Sequence, residues 1–391
     1  MKIAITSNGC SRRNLDSVRI QNYFRLNRCK IVSNFKDADY ILFVTCAFRE
    51  GKAKECFAQI DELSKYSGDL IVVGCLPDID PLELTERFHG PFISTKNLDR
   101  LDHLFPDFKI KFNQVSDAHI LPKTNISEPQ EKISLKLISN RFHLTRNAIG
   151  AFLKREKQGE AHLRVSWGCV ENCAYCGVRK AVGPLKSKSI MECLEEYKLL
   201  LQKGYRDFLF VADNLGAYGL DIKTDFSQLL KQLSAIDRYF RVRWQIWEIH
   251  PRWVIKYEQT LIEYIKAEKI TMLLSAVQSG NDRILKVMNR HHNAETIKEV
   301  YLKIKEENPS IVLKTQVIVG FPGETDEEFK ETLEFLRQVR FSLVAVYGYY
   351  DSFDTIASHL PSKLSSETIQ ERLRYAGEFL NRERISNFVI Q

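Results

Sequence analysis

The 391 residues are enough for two or three domains with real cores, and 44% hydrophobic with 27% charged residues is ordinary for a globular protein. No apolar run approaches the length of a membrane span, and the opening Met1-Lys2-Ile3-Ala4-Ile5-Thr6-Ser7 lacks the layout of a signal peptide, so membrane and secretory readings fall away and a cytoplasmic protein is expected. The formal charge of +7 is spread along the chain; it permits a nucleic acid partner without demanding one.

The first hundred residues alternate between strand and helix. Ile3-Ala4-Ile5-Thr6 reads as a strand and Asn14 to Leu26 as a helix. Tyr40-Ile41-Leu42-Phe43-Val44-Thr45 reads as a buried strand, Gly51 to Tyr66 as a helix, and Leu70-Ile71-Val72-Val73-Gly74 as a third strand. Apolar strands joined by helical crossovers imply a parallel sheet covered on both faces, so residues 1–105 are expected to form a small α/β domain. Residues 106–160 are polar with weak periodicity and read as a linker carrying one amphipathic helix, Thr145 to Arg155. The alternation then resumes. Strands are expected at Leu163–Trp167, Asp207–Ala212, Arg243–Trp247, Met272–Val277, Lys314–Gly320 and Val344–Tyr349, with helices such as Ile190 to Lys203 and Asp326 to Val339 between them. Six β/α units predict a partial (β/α)6 barrel over 161–364, with chemistry at the C-terminal ends of its strands. A charged helix from Ser366 to Arg384 occupies the last segment, 365–391.

Nine cysteines, an odd number without a secretory signal, fit a reducing compartment where thiolates serve as metal ligands. Cys169, Cys173 and Cys176 form a C-x3-C-x2-C run directly behind the first barrel strand. Structural zinc sites want four protein ligands. Three thiolates in one loop suit a four-iron cluster with one iron left open to a second molecule. The competing explanation is a zinc site with a distant fourth ligand, or buried free cysteines.

The cysteine loop, with the aromatic Tyr175 before its last cysteine, resembles the signature of radical S-adenosylmethionine (SAM) enzymes. Further stretches narrow the resemblance to radical methylthiotransferases. Ser7-Asn8-Gly9-Cys10-Ser11-Arg12-Arg13-Asn14-Leu15-Asp16-Ser17 is similar to their opening, and the segments ending in Cys46-Ala47 and Gly74-Cys75-Leu76 are similar to their second and third cysteine motifs. Phe210 to Asp221, Val277-Gln278-Ser279-Gly280-Asn281 with Leu285 to Arg290, and Ile318-Val319-Gly320-Phe321-Pro322-Gly323-Glu324-Thr325 are similar to the family's second, fourth and fifth strand ends. The resemblance covers residues 1 to about 364.

This resemblance implies an α/β chain with an N-terminal domain followed by a radical-SAM partial barrel, and two [4Fe-4S] clusters. Cys169, Cys173 and Cys176 would hold the cluster that cleaves SAM. Cys10, Cys46 and Cys75 would converge at the strand ends of the first domain to hold an auxiliary cluster; the alternative is three buried cysteines acting as small hydrophobes. Tyr175, Asp213, Asn214, Gln278, Ser279, Arg290 and Val319 are the expected cofactor contacts. The implied reaction converts C–H to C–SCH3 through a 5′-deoxyadenosyl radical, with an electron donor such as flavodoxin or ferredoxin. Cys29, Cys56 and Cys193 lack a comparable setting and read as structural. His250 either faces the cavity or caps a helix, and the adjacent pair His291-His292 points apart rather than toward one metal.

Two departures from the family bear on the substrate. Asp351-Ser352-Phe353-Asp354-Thr355 replaces its usual sixth-strand sequence, and no segment resembling its C-terminal TRAM barrel follows. A peptide or protein substrate is therefore expected, with tRNA as the alternative. Sulfur insertion or thioether formation without methyl transfer is a further alternative for the chemistry.

Overall fold

The computed structural model describes residues 1–121 and 159–390. Five strands form the first sheet: β1 (Lys2–Ser7), β2 (Lys30–Ile31), β3 (Tyr40–Thr45), β4 (Asp69–Gly74) and β5 (Phe92–Ser94). They lie in the order β2-β1-β3-β4-β5 and every pairing is parallel. The continuous apolar runs of β3 and β4 are explained by helices on both faces. Ile41, Phe43, Leu70 and Val72 pack toward Phe57, Ile60 and Leu63 of helix α2 (Glu50–Leu63). The alternate residues Leu42, Val44, Ile71 and Val73 pack toward Ile20, Tyr23 and Phe24 of helix α1 (Ser11–Leu26). Each such side chain contributes roughly 1.5–3 kcal/mol by leaving water.

The stretch expected as a linker begins as packed chain. Phe112 and Val115 join the α1 face of the first sheet, and Ala118 lies in a separate small core with Leu15. The helix expected at Thr145–Arg155 falls outside the described residues.

Strand β6 (Ala161–Arg164) opens the second sheet. The strand expected to run on to Trp167 breaks at Val165, and Ser166–Trp167 (β7) turns away to pair antiparallel with Lys186–Ser187 (β8). Then come β9 (Asp207–Val211), β10 (Arg243–Ile246), β11 (Ile270–Leu274), β12 (Val312–Val319), β13 (Leu343–Gly348) and β14 (Asn387–Ile390). The order β14-β13-β12-β11-β10-β9-β6 is that of an open, wholly parallel sheet. The expected α/β class and six-unit partial barrel are present. A seventh strand, β14, follows the helix Ser366–Arg382 and extends the sheet beyond β13.

Side chains alternate between the two faces of this sheet. Phe208 and Phe210 of β9 face the outer helices, while Leu209 and Val211 face inward and meet Leu15 of α1 and Ala118. Helix α1 therefore serves both sheets. A buried ion network seals the seam: Arg164 pairs with Asp16 at 2.6 Å and lies 3.7 Å from Asp117, which also takes Lys188 at 3.1 Å. Burial alone would raise the Asp117 carboxyl, but Arg164 and Lys188 hold it down at about 2. No helix among the described residues is long and apolar enough to cross a membrane.

Candidate active site at the meeting of the two sheets

The three N-terminal cysteines sit where three neighbouring parallel strands end. Cys46 directly follows β3 and Cys75 directly follows β4; the register Thr45↔Gly74 keeps them level. Cys10 lies three residues beyond β1 and is the residue from which α1 starts. The Asn8 side chain ties the first loop to the second by accepting from the Cys46 backbone N–H at 3.0 Å. Gly74 has φ +121°, and a Cβ there would stand 2.4 Å from the Thr45 carbonyl, so the turn into Cys75 needs glycine.

Cys46 and Cys75 are buried, and all nine cysteines are free. A hydrogen bond from Cys46 holds the Cys10 thiol well below its usual range; Arg12 and Arg13 help, against the burial that opposes it. The same pairing and burial push Cys46 up, and burial pushes Cys75 up to about 11.

The second triplet is local. The β7–β8 ribbon forms the base of its loop, and Cys169 N–H donates to the Gly183 carbonyl at 3.1 Å. Gly168, with φ +80°, lets the chain pass within contact of Pro184. Two donors converge on the Cys169 sulfur: the Glu171 backbone N–H at 3.4 Å and Asn214 Nδ2 at 3.6 Å. Glu171 itself is buried; its carboxylate accepts from Asn214 and Trp253 at 3.0 Å each and forms an ion pair with Arg252 at 3.0 Å. Arg290 donates to the Cys173 sulfur at 3.5 Å and to the Tyr175 hydroxyl at 3.3 Å. It is buried and makes no ion pair with a carboxylate among the described residues. Burial raises the Cys169 thiol to about 12 and also raises Cys176.

Cys10, Cys46 and Cys75 share the wall of one cavity of about 280 Å³ with Tyr175 and Cys176. Among the described residues no three His, Cys, Asp or Glu side chains close round a point as a single metal ion requires. Thiolates that each bind a different iron of a cluster stand farther apart than that, and two sets of three free cysteines suit the donor set of a cluster with one open iron.

Of the expected cofactor contacts, Tyr175, Asp213 and Gln278 line this cavity. Gln278 has φ +70° and its buried Oε1 has no partner, an arrangement that leaves an acceptor for a bound group. Asn214 and Arg290 instead touch the cysteine sulfurs of the loop. Ser279 lies elsewhere: its hydroxyl bonds Thr332 and receives the Asn281 N–H, which fastens its loop to the helix Asp326–Val339. Val319 packs into the outer core, because β12 alternates and it is Gln316 and Ile318 that reach the cavity.

His250 caps the helix Pro251–Lys256, its Nδ1 accepting from the Arg252 N–H at 3.2 Å. His291 is exposed while the His292 ring stands edge-on to His250, so the pair does not form one site. Cys56 and Cys193 are fully buried in cores, and Cys29 packs against the edge of one.

Sequence reasoning passed over Arg12, Arg13, Phe48, Arg49, Glu248 and Tyr350, which also line the cavity. A usable signal was present for several of them: each lies within four residues of a cysteine or of a strand's C-terminal end.

Residues 2–93 match the model of the uncharacterized protein family UPF0004, and residues 163–336 match that of the radical SAM superfamily. The ribosomal protein uS12 methylthiotransferase RimO of Thermotoga sp. (strain RQ2) is 28% identical over 100% of this chain and 86% of its own. A probable threonylcarbamoyladenosine tRNA methylthiotransferase of Pyrococcus abyssi (strain GE5 / Orsay) is 29% identical over 96% of this chain and 82% of its own. Among solved structures, the radical S-adenosylmethionine methyltransferase TsrM from Kitasatospora setae superposes with a TM-score of 0.62 at 12% identity. It covers 91% of this chain and 77% of TsrM, a likeness of fold. Radical SAM enzymes use SAM and a [4Fe-4S] cluster, and the methylthiotransferases transfer a sulfur-containing group. The two family models lie end to end across both cysteine triplets, and over nearly its whole length the chain is similar to radical SAM methylthiotransferases.

Proposed function

We propose that this enzyme converts an unactivated C–H of a peptide or protein to C–SCH3, with one [4Fe-4S] cluster on Cys169, Cys173 and Cys176 and a second on Cys10, Cys46 and Cys75. The observation that carries the reading is the single cavity into which Cys10, Cys46, Cys75 and Cys176 all face. In this reading residues 1–105 present the sulfur site and residues 161–364 the radical site, joined by 106–160 and completed by 365–391.

When bound, the clusters and SAM supply the hydrogen-atom abstraction, the sulfur and the methyl group, on one electron from a donor such as flavodoxin or ferredoxin. The chain's own residues do the rest. Asn214, the Glu171 N–H and Arg290 bond the loop sulfurs and fix their orientation. The start of α1, with Arg12 and Arg13, favours the Cys10 thiolate. Val178, Val182 and Ile318 give the cavity an apolar wall that excludes water, and Gln278 offers an acceptor to the bound cofactor.

The rim supports a peptide substrate. Phe48 at the cavity is exposed, and exposed Phe353 and Ile356 lie on the segment that packs against Gly177 of the cavity wall. Mass spectrometry of candidate protein substrates after anaerobic turnover tests the reading. A methylthio gain supports it; sulfur alone or loss of hydrogen would replace it with sulfur insertion or thioether formation. The tRNA reading keeps one support of its own: Arg49 reaches the cavity with no ion-pair partner among the described residues, leaving a cation for a phosphate or carboxylate. Salt-dependent tRNA binding would favour that reading, and its absence would remove it.

A further inference from the structure

Asp213 touches both cysteine loops at once. It stands two residues past β9, with its side chain 5% exposed. Oδ2 accepts from the backbone N–H of Gly168, the residue before Cys169, at 2.9 Å. Oδ1 faces Arg12 Nε at 3.3 Å and an Arg13 nitrogen at 3.9 Å, as ion pairs rather than directed hydrogen bonds. Those arginines lie two and three residues after Cys10. Asp213 also lines both the main cavity and the wider cleft beyond Arg13, so it forms part of the wall between them.

Charge balance alone does not require this arrangement. Arg13 already has Asp16 at 3.1 Å, and Arg12 already pairs with Glu248. A capped loop alone does not require it either, since a cap needs only the Gly168 bond. A single buried carboxylate with one oxygen committed to each loop mechanically couples the two. We propose that Asp213 is a positioning residue that sets the register of the Cys10 loop against the Cys169–Cys176 loop, and so the separation of the two cysteine triplets. The use of that separation rests on the two-cluster reading above; the coupling of the loops does not.

Hydrogen–deuterium exchange of the anaerobically reconstituted full chain tests the coupling. Asp213→Ala is expected to speed exchange about tenfold in peptides covering both 9–13 and 168–176, the loss expected for a charge-assisted contact. Asp213→Asn keeps an acceptor for Gly168 but loses the charge facing Arg12, so it loosens 9–13 more than 168–176. If the alanine variant folds poorly, the double variant Arg12→Gln/Arg13→Gln serves instead, and it is expected to loosen 168–176 as well as 9–13. A local cap would loosen 168–176 alone in Asp213→Ala and nothing in Asp213→Asn, and either of those patterns overturns the proposal.

A second readout is the magnetic coupling between the two reduced clusters. Asp213→Asn should broaden it while each cluster keeps its iron, and an unaltered coupling also counts against the proposal. Iron counts on the same samples keep the two readings apart: a wild type with one cluster refutes the two-cluster function and leaves the exchange result to stand or fall by itself.

Discussion

The two triplets are built in opposite ways. Cys169, Cys173 and Cys176 share a single loop, so their spacing is largely a property of eight consecutive residues and the ribbon beneath them. Cys10, Cys46 and Cys75 come from three strands and meet only when β1, β3 and β4 pair in register. The first kind of site tolerates strain elsewhere in the chain; the second is only as good as its sheet. Both use the same local device. A glycine precedes Cys75 and another precedes Cys169, each at positive φ where a Cβ would strike a carbonyl.

That contrast can be broken most forcefully at Gly74. Gly74→Ala should cost about 2–4 kcal/mol from backbone strain and overpacking. Urea denaturation measures the loss, and iron analysis should show the N-terminal site emptied while the loop site keeps its metal. Gly168→Ala should reverse that selectivity.

The seam between the sheets comes next. Asp117 titrates at about 2 in the folded chain against an ordinary 3.8, so it stabilises the fold above pH ~4. That contribution, about 2 kcal/mol, is lost as pH falls from 3.8 toward 2. Asp117→Asn should flatten this part of the stability curve, as followed by thermal unfolding across that range.

Arg290 sharpens the comparison from the loop side. It is the buried cation at Cys173, and a donor and charge there favour the reduced cluster. Arg290→Gln should move the loop cluster's potential downward in an EPR-monitored titration and leave that of the other cluster in place. The smallest effect is a control that touches neither triplet. Thr325 caps the helix Asp326–Val339 within a capping box, and Thr325→Ala should cost about 1 kcal/mol with both iron sites intact.

The cysteines were legible because each signal is local: a cysteine just past the end of an apolar strand run, or three cysteines in one short loop. The parallel α/β organisation followed from the same runs. Parity was less secure. Val319 and Ile318 are adjacent and equally apolar, and only the pairing of β12 with its neighbours sends Ile318 to the cavity and Val319 to the core. The resemblance of Val277–Asn281 to the family's fourth strand end points to Ser279 as a cofactor contact, yet its hydroxyl bonds Thr332 on the neighbouring helix. Strand β14 has four residues behind a long helix and gains its identity from β13 alone. The contact of Arg12 with Asp213 joins residues 201 apart and leaves no trace in spacing.

The two-site arrangement is tested most directly by iron and sulfide counting after anaerobic reconstitution of wild type, Cys173→Ala and Cys46→Ala. Wild type should hold about eight iron atoms per chain and each variant about four, with the spectrum of the surviving cluster differing between the two variants. A variant that keeps the wild-type complement, or two variants that retain the same cluster, would contradict it.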